Sequence, residues 1–199
     1  MRALRVGSAL ALAVLGLAAA ATAQHLTVSL AAGGFSPSDA TYRQIYGNGM
    51  VIAGDAWLAF EKHFGLAFGF GRLSDDGLAV PVSGGEASFP LSFTRTTVPL
   101  LVFYELGSQA VTVRLGAGAG FHSYRESWQT VDLEFSDSKV GPRLVLAVSA
   151  AIFRRLSLYA SATYDSIPTG AGAALATDID LGGFQVLGGL AYRIFQEDP

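Results

Sequence analysis

From Leu156 to Asp165 the chain alternates strictly, with Leu156, Leu158, Ala160, Ala162 and Tyr164 on one parity and Ser157, Tyr159, Ser161, Thr163 and Asp165 on the other. From Val111 the pattern repeats: Val111, Val113, Leu115, Ala117, Ala119 and Phe121 oppose Thr112, Arg114, Gly116, Gly118, Gly120 and His122. Near the end, Phe184, Val186, Leu190, Tyr192 and Ile194 alternate with Gln185, Leu187, Gly189, Ala191 and Arg193. A period of two is that of a strand with unlike faces, whereas a helix repeats its apolar positions every three to four residues. Eight such segments are expected, at about 25–33, 50–61, 65–73, 93–106, 109–122, 139–152, 156–165 and 180–195. Each is near or above the roughly 9–11 residues that a tilted membrane strand needs.

The connections alternate in length. Those near 62–64, 107–108 and 153–155 are two or three residues, while 34–49, 74–92, 123–138 and 166–179 all exceed a dozen. Short turns on one side and long loops on the other are the pattern of outer-membrane barrels, and an even strand count puts both termini on the periplasmic, short-turn side. In hydrocarbon every backbone N–H and C=O must pair within the protein, so the sheet has to close. The expected fold is all-β: an eight-stranded antiparallel up-and-down transmembrane β-barrel. Its inward parity should be small or polar, because eight strands leave a lumen just wide enough for side chains. A soluble lipocalin-like binder would reverse the faces, with the apolar parity inward.

The first residues change the picture by adding export. Arg2 and Arg5 precede an apolar run over Val6–Ala20, and Ala21-Thr22-Ala23 is an A-x-A-type site. Residues 1–23 are therefore expected to be a signal peptide, cleaved before Gln24. The mature domain would span 24–199 and carry 11 basic against 16 acidic residues, a net charge of −5. Such a chain has no means of neutralising a nucleic-acid backbone. No cysteine is present, which excludes disulfides, thiolate metal sites and a cysteine nucleophile. Charged residues make up 15%, against about 25% in soluble domains. Yet the longest apolar stretch beyond the leader, Leu144–Phe153, is about ten residues and falls short of the ~18 of a membrane helix.

The closing segment GGFQVLGGLAYRIF, residues 182–195, resembles the C-terminal strand signal read by the barrel-assembly machinery. With the strand pattern over 24–199, it makes the chain similar to the small outer-membrane β-barrel superfamily, the eight-stranded group of the OmpA transmembrane domain, OmpX and OmpW. That resemblance implies a bacterial outer-membrane location, lipid and lipopolysaccharide as surroundings, the barrel-assembly machinery as a partner during insertion, and a monomer. Two departures stand out: Gln196–Pro199 follow Phe195, and the apolar parity ends on Ile194 instead of the aromatic. Because the chain stops after its last strand, no peptidoglycan-binding domain of the full-length OmpA kind is expected.

The inward parity carries Asp55, Glu61, Arg95, Glu105, Arg114, Arg143, Asp165 and Arg193, together with Trp57, Leu101, Phe103, Tyr159 and Leu187. Isolated burial of a charge is very costly, so these residues are expected to pair and plug the lumen, leaving little or no conductance. If Phe153-Arg154-Arg155 makes a three-residue turn, Ile152 opposes Leu156 and Arg143 meets Asp165. Leu146, Val148, Leu158, Val113 and Leu115 are expected to face lipid. Aromatic girdles are expected from Phe60, Phe64, Phe153 and Tyr192 at the short-turn side and Phe93, Phe121, Tyr124 and Trp128 near the loops.

Candidate chemistry is thin. His25, His63 and His122 lack ligand spacing. His122-Ser123 with Glu126 would suit a lipid A esterase, but the histidine–serine spacing of outer-membrane deacylase barrels is absent. Asp75-Asp76 and Asp178-x-Asp180 are acidic pairs that could touch Ca²⁺, though acidic loops are usually just solvated. No catalytic residue, cofactor or metal site is expected. The expected function is a non-enzymatic barrel anchoring four extracellular loops, for envelope integrity or surface contact. The alternative is a narrow conduit for small solutes, hydrophobic ones included, as in the OmpW-like branch.

Overall fold

A computed structural model of the chain describes residues 25–60, 63–79, 89–128, 130, 133–168 and 179–196. The leader expected over 1–23 lies outside them, as do Glu61 and Asp178. Eight strands, β1 (His25–Pro37), β2 (Gly49–Phe60), β3 (Phe64–Ala79), β4 (Phe89–Gly107), β5 (Val111–Trp128), β6 (Leu133–Ala151), β7 (Leu156–Asp165) and β8 (Gly183–Gln196), close in sequence order. Every neighbouring pair is antiparallel, including β1 with β8.

Alternation decides which wall each residue joins. On β7, Tyr159, Ser161, Thr163 and Asp165 are buried, whereas Leu158, Ala160 and Tyr164 are exposed. Leu115, Leu146 and Leu158 stand exposed on the outer wall, with Val113 and Val148 half-buried beside them. A barrel in water would hide this aliphatic surface, so its exposure is the mark of a lipid-facing wall. At the turn before β7, the Ile152 N–H donates to the Leu156 carbonyl (2.9 Å), and Arg143 stands opposite Asp165 as a three-residue turn requires.

Three features depart from the sequence reading. The stretches 74–92 and 123–138, expected as loops, are largely strand: β4 and β6 reach 19 residues, well past the ~11 needed to span a membrane. The β3–β4 and β5–β6 hairpins thus rise beyond the bilayer as continuous sheet. The stretch 34–49 holds a short helix, α1 (Ala40–Tyr46). Asp39 caps it by accepting from the Thr41 and Tyr42 N–H groups at 2.7 and 3.1 Å, and Gly47, at φ 71°, ends it. Finally, the β1–β8 ladder shifts register between Leu26 and Thr27, pairing them with Phe195 and Arg193. Ile194 is the extra residue of a bulge. Phe195 is thereby set opposite Leu26, on the outer wall, which answers the parity mismatch seen in the sequence.

Candidate functional site: the barrel interior

At the short-turn end the interior is built around Arg114, which projects from β5 and is only 1% exposed. Its Nε donates to Glu105 at 2.7 Å, across the β4–β5 hairpin. Its terminal nitrogens reach Ser149 on β6 (3.4 Å) and Thr27 on β1 (3.5 Å). In an eight-strand barrel β1 lies opposite β5, so this one side chain bridges the lumen. The guanidinium also lies 5.4 Å from the Trp57 ring centroid and 6.0 Å from that of Phe103, rings packed edge to face. His25 completes the group at 3.3 Å from Glu105.

Nearer the loops, Arg143 holds both oxygens of Asp165 at 3.1 Å, and Gln185 on β8 donates to the same carboxylate at 2.8 Å. Asp165 is wholly buried, so these charge-assisted bonds replace the water it has lost. Asp55, from the facing strand β2, lies within the field of Arg143. Arg95 on β4 crosses to the far side as well: it donates to the Leu181 carbonyl just before β8 and stacks 4.6 Å above the Phe35 ring. His122 bonds Thr97 through Nδ1 at 2.9 Å.

Above this level α1 caps the mouth. Tyr42 and Tyr46 point inward from successive turns and pack with Phe35, Phe93 and Tyr124. Gly77 makes room for the helix, because a Cβ there would lie 2.6 Å from the Tyr46 ring and 2.8 Å from the Ile45 carbonyl. Tyr46 donates to Glu126 at 2.7 Å, as does Trp128, and the Tyr42 hydroxyl lies 3.3 Å from Asp75. Burial first, then the nearby carboxylates, push both phenols far above their ordinary range, so they act only as donors. Ile167, Ile179 and Leu181 fill the remaining gap from the β7–β8 connection. Asp180 fastens that connection, accepting from the Ile167 and Gly182 N–H groups and the Ser166 hydroxyl at 2.6, 2.7 and 3.0 Å.

Of the expected interior charges, Arg95, Arg114, Arg143 and Asp165 are buried, while Asp55, Glu105 and Arg193 are half-buried on the inward parity. Arg193 lines the short-turn rim and stands apart from the Arg143 cluster. Two members of the expected loop-side girdle are corrected: Phe93 and Tyr124 face inward and are buried, sharing parity with Arg95 and His122. Trp128 is half-buried against the same core, and Phe121 is exposed on the outer wall. His122 and Ser123 project to opposite faces of β5, so no esterase-like pair forms. Asp75 and Asp180 are protein-bonded rather than free ligands, and among the described residues no group of three or more His, Asp or Glu side chains could hold a metal. The sequence reading missed Tyr42 and Tyr46, although Asp39 and Gly47 flank them as helix caps.

A family model for outer membrane protein beta-barrel domains matches residues 7–193. No curated protein sequence matches the chain. Among solved structures, OprG of Pseudomonas aeruginosa superposes with a TM-score of 0.66 at 12% identity, covering 88% of this chain and 98% of its own. Neisserial surface protein A gives 0.52 at 17% identity, with 85% and 96% covered. A major outer membrane protein of Thermus thermophilus gives 0.52 at 17%, with 85% and 99% covered. At such identities the likeness is one of fold.

Proposed function

Since this chain belongs to the outer membrane protein beta-barrel domain family of bacterial outer-membrane proteins, we propose that it is a non-enzymatic, sealed barrel. It anchors its extracellular hairpins and loops for envelope integrity or surface contact. The observation that carries this reading is the crossing of the lumen by arginines. Arg114 reaches from β5 to β1 and Arg95 from β4 to the Leu181 carbonyl just before β8, so a guanidinium crosses the lumen at each of two levels. We further propose that residues 1–23 are removed on export, that the assembly machinery reads the segment ending in Phe195, and that the barrel is a monomer. Intact-mass measurement of membrane-extracted protein should show Gln24 as the first residue, and an intact Met1 would refute the cleavage. Planar-bilayer recordings of the refolded barrel should show no conductance or very small events. Stable, large, ohmic channels would overturn the sealed reading.

One observation favours the second reading, a narrow conduit for small solutes, hydrophobic ones included. The β3–β4 ladder lapses between the Phe68–Leu100 and Gly71–Thr97 pairs, where Pro99 has no N–H to give. Glycines 69 and 71 line that seam on the inside. If the seam conducts, proteoliposomes should take up a small apolar solute faster than empty vesicles, and Pro99→Val should slow them. Equal uptake with and without the barrel would remove this reading.

A further inference from the structure

We propose that the outer wall of β3–β6 at the loop end binds the phosphorylated headgroup of an outer-leaflet glycolipid of the lipid A type. The outward residues of these strands change character within a single two-residue step. Val98, Phe121 and Val140 pair across as one exposed apolar row, and Phe70, also exposed, stands beside Val98 where the β3–β4 ladder lapses. One step toward the loops, Arg72 pairs across to Thr96, Thr96 to Ser123, and Ser123 to Ser138. The next row reads Ser74, Thr94, Arg125 and Ser136. Arg72, Thr94, Thr96, Ser123, Arg125, Ser136 and Ser138 line one shallow depression of about 600 Å³, with Tyr124 and Asp137 at its side.

The chemistry of this surface fits an oxyanion. Arg72 makes no hydrogen bond or ion pair among the described residues, and neither do the hydroxyls of Thr94, Thr96 and Ser123. Arg125 pairs with Glu134 at 3.3 Å, but both side chains are more than half exposed, so exchanging that partner costs little. Asp137 is engaged by Lys139 at 3.1 Å. The outward carboxylates Asp76 and Glu134 begin only one row farther from the membrane. A headgroup phosphate therefore meets guanidinium and hydroxyl groups first. Arg72 and Arg125 are separated by β4, two inter-strand steps across and one two-residue row along, about 12 Å in all, a span suited to two phosphates on one disaccharide.

Placement selects a lipid over a soluble polyanion. The polar rows sit directly on the apolar band, so a ligand whose acyl chains lie along Phe70, Val98, Phe121 and Val140 presents its phosphates at Arg72 and Arg125. The outward loop-end residues of the opposite wall, Met50, Ile52, Phe184 and Val186, carry no charge, so the site is one-sided.

The test is lipid titration of the full mature barrel, read by native mass spectrometry. The ligands are bisphosphoryl lipid A, its dephosphorylated form, and the soluble bisphosphorylated disaccharide without acyl chains. Lipid A should bind about tenfold or more tightly than the dephosphorylated lipid and the soluble disaccharide. R72Q/R125Q should lose about that factor, while R154Q/R155Q, at the other rim, should bind as the wild type does. Equal binding of lipid A before and after phosphate removal would overturn the proposal, and that arm needs only the unaltered protein. It also fails if the soluble disaccharide binds as tightly as the lipid, or if a folded R72Q/R125Q retains full affinity.

Discussion

The two ends of the lumen are filled by different means. At the short-turn end the seal consists of strand residues alone: Arg114 on β5, Glu105 on β4, Thr27 on β1 and Ser149 on β6. At the loop end the wall leaves space that is filled from outside the ladder, by Tyr42 and Tyr46 of α1 and by Ile167, Ile179 and Leu181 of the β7–β8 connection. The first seal is fixed as soon as the strands take their register. The second depends on how the intervening chain folds onto the mouth. The short-turn seal should therefore fail only together with the barrel, whereas the loop-end seal can open by itself.

The largest effect is expected at Asp165, where the two systems meet. It holds Arg143 and Gln185 from the wall and lies in the field of Arg95, which in turn holds the Leu181 carbonyl. Asp165→Asn should cost ~3–5 kcal/mol, because it leaves Arg143 without its counter-charge in a site closed to water. Denaturant unfolding in lipid vesicles measures this, and wild-type stability would show that the loop end is solvated. Glu105→Gln should cost less, ~1.5–3 kcal/mol, since it exchanges a charged acceptor for a neutral one. Protease resistance of α1 should not change in that variant; a newly cleavable α1 would mean that the two ends are not independent. Tyr46→Phe removes one hydrogen bond to Glu126, worth ~1 kcal/mol, and should speed cleavage around α1 while barrel unfolding stays as it was. Unaltered cleavage would tie the helix to the wall more firmly than described. Arg125→Gln, outside both seals, should shift stability by only ~0–1 kcal/mol, the range of an exposed ion pair.

Much of this was legible in the sequence wherever one face was greasy and the other was not. The Arg143–Asp165 pairing followed from the turn and the alternation of two strands, because same-sum pairing carries both residues to one face. Where the hairpins leave the membrane, the outer face of β3–β6 turns polar and the inner face mixes Asp75 and Glu126 with Phe93 and Tyr124, so the contrast between parities fades, and residues 74–79 and 123–128 read as loop although they are strand. Phe93 and Tyr124 were misplaced for a different reason. Their position near strand ends suggested a girdle, while their parity with Arg95 and His122 already placed them inside. The seven-residue α1 is too short for a periodic signal, and only its caps, Asp39 and Gly47, mark it. The contacts of Arg95 with Leu181 and of Tyr46 with Glu126 join positions 86 and 80 residues apart, and nothing local in the sequence encodes them.

The bulge at Ile194 bears on how the molecule is assembled. The β1–β8 seam joins His25 to Gln196, the two ends of the described chain, so it is the most non-local contact in the fold and the natural last step of closure. A slip of one residue at that seam would turn Gln185, Leu187 and Ala191 toward lipid and Val186, Leu190 and Tyr192 into the lumen. A regular strand could slide past that point, since its backbone looks alike at every second residue. A strand with one surplus residue cannot, because the irregularity fits only where Leu26 gives way to Thr27. Ile194 thus acts as a stop on a sliding joint, leaving the arriving strand a single place to halt.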